Sequence, residues 1–308
     1  MSEPLKGHLA MLCFSALIAG SFALGAMAAP HVAPTVLNGV RFLIAALILG
    51  GAVAATTGIP ARAVAAPWRY LVLGGAMGVY FVLMFEGLKT ATPVSAAAVF
   101  TLTPVIAGAF GFLLLRQVMT ARMVLALSVG ALGALWVIFD ADRAALAAFD
   151  VGRGEIIYFW GCVAHALYTP MVRLLNRGEP PVVFSFGVML AAAALVTLAG
   201  WRDLLATDWA ALPAIVWITI GYTAVAATAA TFVLLQFASL RLPSAKVMAY
   251  TYLTPSWVIG WEAMLGHGVP RGLVLGGVAM TVMALLLLLK DEHRSPEPAH
   301  GETARKGR

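Results

Sequence analysis

Three sets of residues in this sequence can do chemistry. The first centres on His165, which is the one ionisable side chain, tyrosines aside, near the middle of an apolar run. A charge in hydrocarbon is expensive and usually functional, so the imidazole is either a neutral hydrogen-bonding group between helices or a group that meets a solute. On a helix, Tyr158, Cys162, His165 and Thr169 form one polar stripe, while Trp160, Ala164 and Tyr168 form another at i+4 spacing. Which stripe faces inward is open at this level. Aromatic faces bind both flat rings and ammonium groups, so either would suit an amphipathic organic solute.

The second set is a repeated tripeptide, Leu102-Thr103-Pro104 and, 151 residues later, Leu253-Thr254-Pro255. Proline in mid-helix lacks an amide donor and pushes away the carbonyl four residues earlier, here that of Phe100 and of Thr251. In a bilayer each carbonyl must then face protein, water or ligand. Either Thr103, Thr254 and neighbouring helices repair the break, or the carbonyls line a cavity; Pro104 and Pro255 are candidate hinges. The third set is Arg41 and Glu86, both inside apolar runs. They can pair with each other as a structural or gating ion pair, or Glu86 can pair with Lys89 one turn away.

Other chemistry is missing. Cys13 and Cys162 both lie in apolar runs, so neither a disulfide framework nor a Cys-based metal site is expected. No Walker-type Gly-x-x-x-x-Gly-Lys string and no Gly-x-Ser-x-Gly nucleophile motif occurs. No metal, no cofactor and no enzymatic activity are therefore expected. Thr219-Ile220-Gly221-Tyr222-Thr223 has the look of a potassium filter, but Thr223 stands at the final glycine position and the string lies inside a long span. A channel and an intramembrane enzyme are the rivals set aside on these grounds.

The elements that position these residues follow from composition. A chain of 308 residues that is 61% hydrophobic and 11% charged is not a soluble protein. Each helical crossing takes about 20 apolar residues, so ten crossings would use roughly 200 and leave no soluble catalytic domain. Apolar runs predict spans at 7 to 28, 35 to 57, 67 to 88, 93 to 115, 121 to 139, 154 to 175, 181 to 200, 209 to 237, 244 to 266 and 270 to 290. The first is read as a retained helix, not a signal peptide.

Of the 20 basic residues, 14 fall on the side of the N-terminus and 5 on the other, with Arg41 inside a span. The positive-inside rule then places both termini in the cytoplasm of a multi-pass protein of the cell inner membrane. Topology accounts for the net charge of +6, and no nucleic-acid partner is expected. The domain reading is a cytoplasmic N-terminus (1 to 6), a first five-helix repeat (7 to 139), an external connection (140 to 153), a second repeat (154 to 290) and a disordered cytoplasmic tail (291 to 308). Because five is odd, the second copy must enter the membrane inverted, as in many secondary transporters.

Further lining candidates are Tyr80 in the third span, Phe100 and Thr103 beside the first kink, and Tyr250 and Tyr252 in the ninth, joining Trp160, His165 and Tyr168. Gly74 with Gly78, Ala126 with Gly130, and Gly272 with Gly276 are small-residue pairs that allow close helix contact or dimerisation; a monomer or weak homodimer is expected.

Asn38-Gly39-Val40-Arg41-Phe42-Leu43-Ile44-Ala45-Ala46, the stretch from Gly87 to Ala97, and the paired Leu-Thr-Pro strings followed by Gly108, Gly111 and Gly260 resemble the drug/metabolite transporter superfamily. The similarity is to its ten-helix EamA type and, within that, to the YddG-like exporters of aromatic and other amino acids, and it covers roughly residues 7 to 290. The resemblance implies an all-α membrane protein, ten helices around a central cavity lined by the third, fourth, eighth and ninth helices and parts of the first and sixth. It also implies outward transport of amino acids by alternating access in a lipid bilayer. The alternative is a multidrug, cation or other metabolite transporter of the same fold. The related four-helix multidrug transporters use a glutamate in their first helix, and the 7 to 28 span has no Asp or Glu.

Overall fold

The computed structural model describes residues 3–148 and 151–289, so the 291 to 308 tail lies outside the described residues. Among these residues there are ten long helical rods, short helices at Ala61–Val64, Arg143–Ala148 and Trp201–Ala206 in the connections, and no strand. They are α1 (Glu3–Ala28), α2 (Pro34–Ala55), α3 (Trp68–Gly87), α4 (Pro93–Leu115), α5 (Ala121–Ile138), α6 (Arg153–Leu175), α7 (Pro181–Ala199), α8 (Ala214–Ser239), α9 (residues 244–264) and α10 (Gly272–Leu289). Seven of them, α1 to α5, α7 and α8, are long and apolar enough to cross a membrane. Apolar residues are spread over the outside of the rods: Leu47, Leu113, Leu132, Leu198 and Leu273 point outward and are each more than half exposed, as lipid-facing residues would be.

Local sequence explains the helix starts. Pro34, Pro93 and Pro181 each stand in the first turn, where the missing amide is not needed and φ is already helical. The hydroxyls of Thr92 and Thr120 accept from the amides of Ser95 and Met123, capping α4 and α5. The expected start of α8 at 209 is corrected to Ala214, because Pro213 stands at its N-cap and residues 209–211 form a turn before it.

Packing follows a pattern. α2 lies along α7, and α5 along α10; α3 lies along α6, and α1 along the last part of α8; the second piece of α4 meets α6, and the second piece of α9 meets α1. Adding five to a helix number, or subtracting five from those above five, turns each of these contacts into another or into itself. Glycines permit the tightest crossings. A β-carbon on Gly133 would stand 2.6 Å from the Gly277 carbonyl oxygen, and one on Gly277 2.7 Å from that of Gly133. Gly87 and Gly154 face each other in the same way across α3 and α6. Gly74 and Gly78 abut Ala192 and Val196 of α7, and Gly130 receives the ring of Tyr252. Of the two uses expected for Gly272 and Gly276, contact within the bundle is not made: nothing lies within 4 Å of either added β-carbon.

Candidate functional site

Both rods that carry the Leu-Thr-Pro strings are broken at those strings. α4 divides into Pro93–Phe100 and Thr103–Leu115, and α9 into Ser244–Ala249, a 3-10 turn at Tyr250–Leu253, and Thr254–Met264. Pro104 and Pro255 sit in the first turns of the second pieces, where they displace no bond. The freed carbonyls are repaired locally: the Thr103 hydroxyl donates to Phe100 at 2.6 Å, and the Thr254 amide to Thr251. The two breaks then meet, with the Thr103 and Thr251 hydroxyls 3.2 Å apart. All four residues are buried against protein, so the carbonyls do not line a cavity.

A narrow aromatic chamber lies between α1, α3, α6 and α8. Phe22, Tyr80, Phe81, His165 and Phe232 form its walls with Phe14, Ser21 and Leu235 among others. Its unoccupied space between atoms is about 310 Å³, but the walls converge so closely that it has room for about one water. The rings are in mutual contact: Tyr80 and His165 have centroids 4.4 Å apart, Phe100 and His165 5.2 Å, and Tyr80 stacks on Phe100 at 5.8 Å. The Tyr80 and Tyr158 hydroxyls share a hydrogen bond at 3.1 Å. His165 is 2% exposed and its Nδ1 has no protein partner, as is true of the Ser21 hydroxyl on the same walls. Two wider clefts, both bordered by His31, Val32 and Ala33, open at the end of the bundle away from the N-terminus.

Comparison with known proteins places this architecture. The sequence profile described as the EamA-like transporter family matches the chain twice, at residues 5–139 and 152–290. The chain belongs to the EamA-like transporter family. It is 26% identical over 198 residues to the uncharacterized transporter YyaM of Bacillus subtilis (strain 168), covering 63% of this chain and 65% of that protein. The chain thus aligns with just under two thirds of that relative's length. A solved structure, described only as the crystal structure of a protein, shares the fold with a TM-score of 0.70 at 22% identity, over 96% of this chain and 99% of its own. The chain is a multi-pass membrane protein of this family.

Within this EamA-like bundle the expected site residues separate. On α6 the stripe of Tyr158, Cys162, His165 and Thr169 is buried, whereas Trp160 is 62% exposed on the outer surface; Trp160 is therefore corrected from a lining to an outward residue. Tyr80 and His165 line the chamber, and Phe100 stands directly behind them. Tyr168 is buried beside it, edge-on to Phe232, its hydroxyl accepting from Gln236 Nε2 at 2.5 Å. Thr103 belongs to the junction of breaks, not to the chamber wall.

Tyr250 and Tyr252 are corrected too. They sit in the 3-10 turn between the two pieces of α9, and neither lines the chamber. Tyr250 turns to α1 and meets His8 Nδ1 at 2.9 Å, while Tyr252 packs over Gly130 between α5 and α10. The Arg41–Glu86 pair is likewise not formed. Glu86 binds Lys89 at 2.7 Å near the surface, and Arg41 turns inward to Thr228. Sequence reasoning missed Phe22, Phe81 and Phe232; lone phenylalanines in apolar runs carry no signal that separates a wall from ordinary packing.

Proposed function

We propose that this chain is an inner-membrane secondary transporter that exports small amphipathic metabolites, amino acids including aromatic ones foremost, by alternating access. The observation that carries the reading is the aromatic chamber enclosed by α1, α3, α6 and α8, four rods that exchange in pairs when five is added to the helix number. Together with the doubled family match, this supports an inverted five-plus-five repeat with ten crossings, in which α6, α9 and α10 also span. The chamber is too small for an amino acid as it stands, so the walls must part on one side at a time. The broken rods α4 and α9, touching through Thr103 and Thr251, supply the joints about which the halves rock.

The chemistry of the walls suits such a solute. Rings offer faces for apolar and ammonium groups, and His165 Nδ1 and the Ser21 hydroxyl offer unspent polar contacts. The working partners are the solute and the lipid bilayer, and the protein acts as a monomer or weak homodimer. Reconstitution into liposomes with labelled amino acids, with and without a pH gradient, tests the reading. Saturable, counterflow-competent flux of an aromatic amino acid is expected. Ohmic, unsaturable current would replace the transporter reading with a channel, and flux of organic cations alone would select the multidrug alternative.

A further inference from the structure

Arg41 is fully buried within α2, and every contact it makes is with a neutral group. Its Nε donates to Thr228 Oγ1 at 2.6 Å, Nη2 to the Ala227 carbonyl at 3.0 Å, and Nη1 only weakly to Asn38 Oδ1 at 3.4 Å. The guanidinium lies over the Phe81 ring, 3.8 Å from its centroid. Among the described residues no carboxylate lies within ion-pair distance of it. Arg69 is the contrast: equally buried, it is paired with Glu179 at 2.7 Å. A desolvated cation without a counter-charge is strongly unfavourable unless something repays it.

Arg41 is nevertheless held in place by a special backbone feature. Residues Val225–Ala230 of α8 form a π-helical turn, a rare distortion that is frequent at functional sites. Both strong acceptors of Arg41, Ala227 and Thr228, belong to it. Ala227 and Phe81 are at the same time walls of the chamber. The guanidinium therefore stands one ring's thickness from the solute space, covered by Phe81.

Resting on the transport reading above, we propose that Arg41 is the anchor for a carboxylate of the solute, reached when the Phe81 ring swings aside. A guanidinium matches a carboxylate with two parallel N–H···O bonds, and the loosely held Nη1 is free to turn to it. Among the chamber-lining residues there is no acid to hold an ammonium group. Recognition is thus of a carboxylate joined to an apolar or aromatic body, and an amino group adds little.

The test is ligand-induced thermal stabilisation of the detergent-purified full chain with four probes: phenylalanine, 3-phenylpropionate, phenylalaninamide and phenethylamine. The two acids are expected to bind at least tenfold more tightly than the amide and the amine. Arg41→Gln should bring acid and amide to within about twofold of each other, and Arg41→Lys, which keeps the charge but loses the two-bond match, should keep only part of the preference. Equal binding of acid and amide by the wild type overturns the carboxylate anchor while leaving transport standing. Binding of none of the four overturns the functional reading together with the anchor. If Arg41→Gln does not fold, Arg41→Lys and the wild-type panel still decide. If it folds with a lower Tm and an unchanged acid-to-amide ratio, Arg41 is a structural residue and the proposal fails.

Discussion

Glu179 lies in the turn between α6 and α7 and accepts from Arg69 Nη2 at 2.7 Å and from the Arg177 amide at 2.6 Å. Arg69 also donates to the Leu175 and Ala66 carbonyls, tying the start of α3 to the end of α6. Burial alone pushes the Glu179 carboxyl up, but the bonds from Arg69 and Arg177 outweigh it and hold it below the ordinary glutamate value. The unfolded chain therefore binds that proton more tightly, and the pair's contribution is complete above the ordinary glutamate range and lost as pH falls through the lower folded value. Glu179→Gln leaves Arg69 buried without its charge partner and should cost about 3 to 5 kcal/mol. The resistance of the wild type to denaturation in detergent should fall between neutral pH and pH 3 by more than that of the variant; parallel curves would remove the pair from the account. This pair was illegible in the sequence because its members are 110 positions apart. Arg41 illustrates the same limit, since Glu86 stood at the right depth in the sequence and only packing shows the two side chains pointing apart. His165 and Tyr80 were legible because an imidazole and a phenol are conspicuous among aliphatic neighbours.

Elements were read better than contacts, because proline, glycine and apolar runs act locally. The starts of α2, α4 and α7 lie at or beside the prolines that open them, and the breaks in α4 and α9 fall at the Leu-Thr-Pro strings. The π turn of α8 gave no sign, since Val225-Ala226-Ala227-Thr228-Ala229-Ala230 contains neither proline nor glycine. Alanine at Pro104 and Pro255 restores an amide in each rod and favours straight helices. Each change should alter stability by about 1 kcal/mol or less, while turnover in liposomes falls severalfold in the double variant; unchanged turnover would exclude the breaks as joints. Glycine contacts permit a sharper comparison. Gly133→Leu must drive α5 from α10 and is expected to destabilise by about 1 to 3 kcal/mol or more, whereas Gly276→Leu meets open space and should leave the melting temperature in place.

At the scale of the whole molecule, parity and charge decide which end faces which compartment. The end holding the N-terminus gathers Lys6, Arg69, Arg173 and Arg241, joined by the Glu3–Arg241 bond at 2.7 Å and the Arg173–Ser239 bond at 2.6 Å. The opposite end holds Lys89, Arg153 and Arg202, near the Gly87–Gly154 crossing and the hydrogen bond between Thr35 and Asp203. If the chain crosses ten times as proposed, 14 basic residues fall at the N-terminal end against 5 at the other, and the positive-inside rule then predicts that the N-terminal end faces the cytoplasm. Reporter fusions test it at two points on opposite sides: an alkaline phosphatase joined in the 140 to 148 connection should be active, and one joined after Gly178 inactive. The test reaches further than orientation. Residues 140 to 148 follow the fifth rod and Gly178 the sixth, so the paired result requires an odd number of crossings before the first point and one more before the second. Activity at both points, or at neither, would mean that α6, whose mixed polar face left it outside the seven plainly apolar rods, does not cross, and an inverted repeat built on five could not stand.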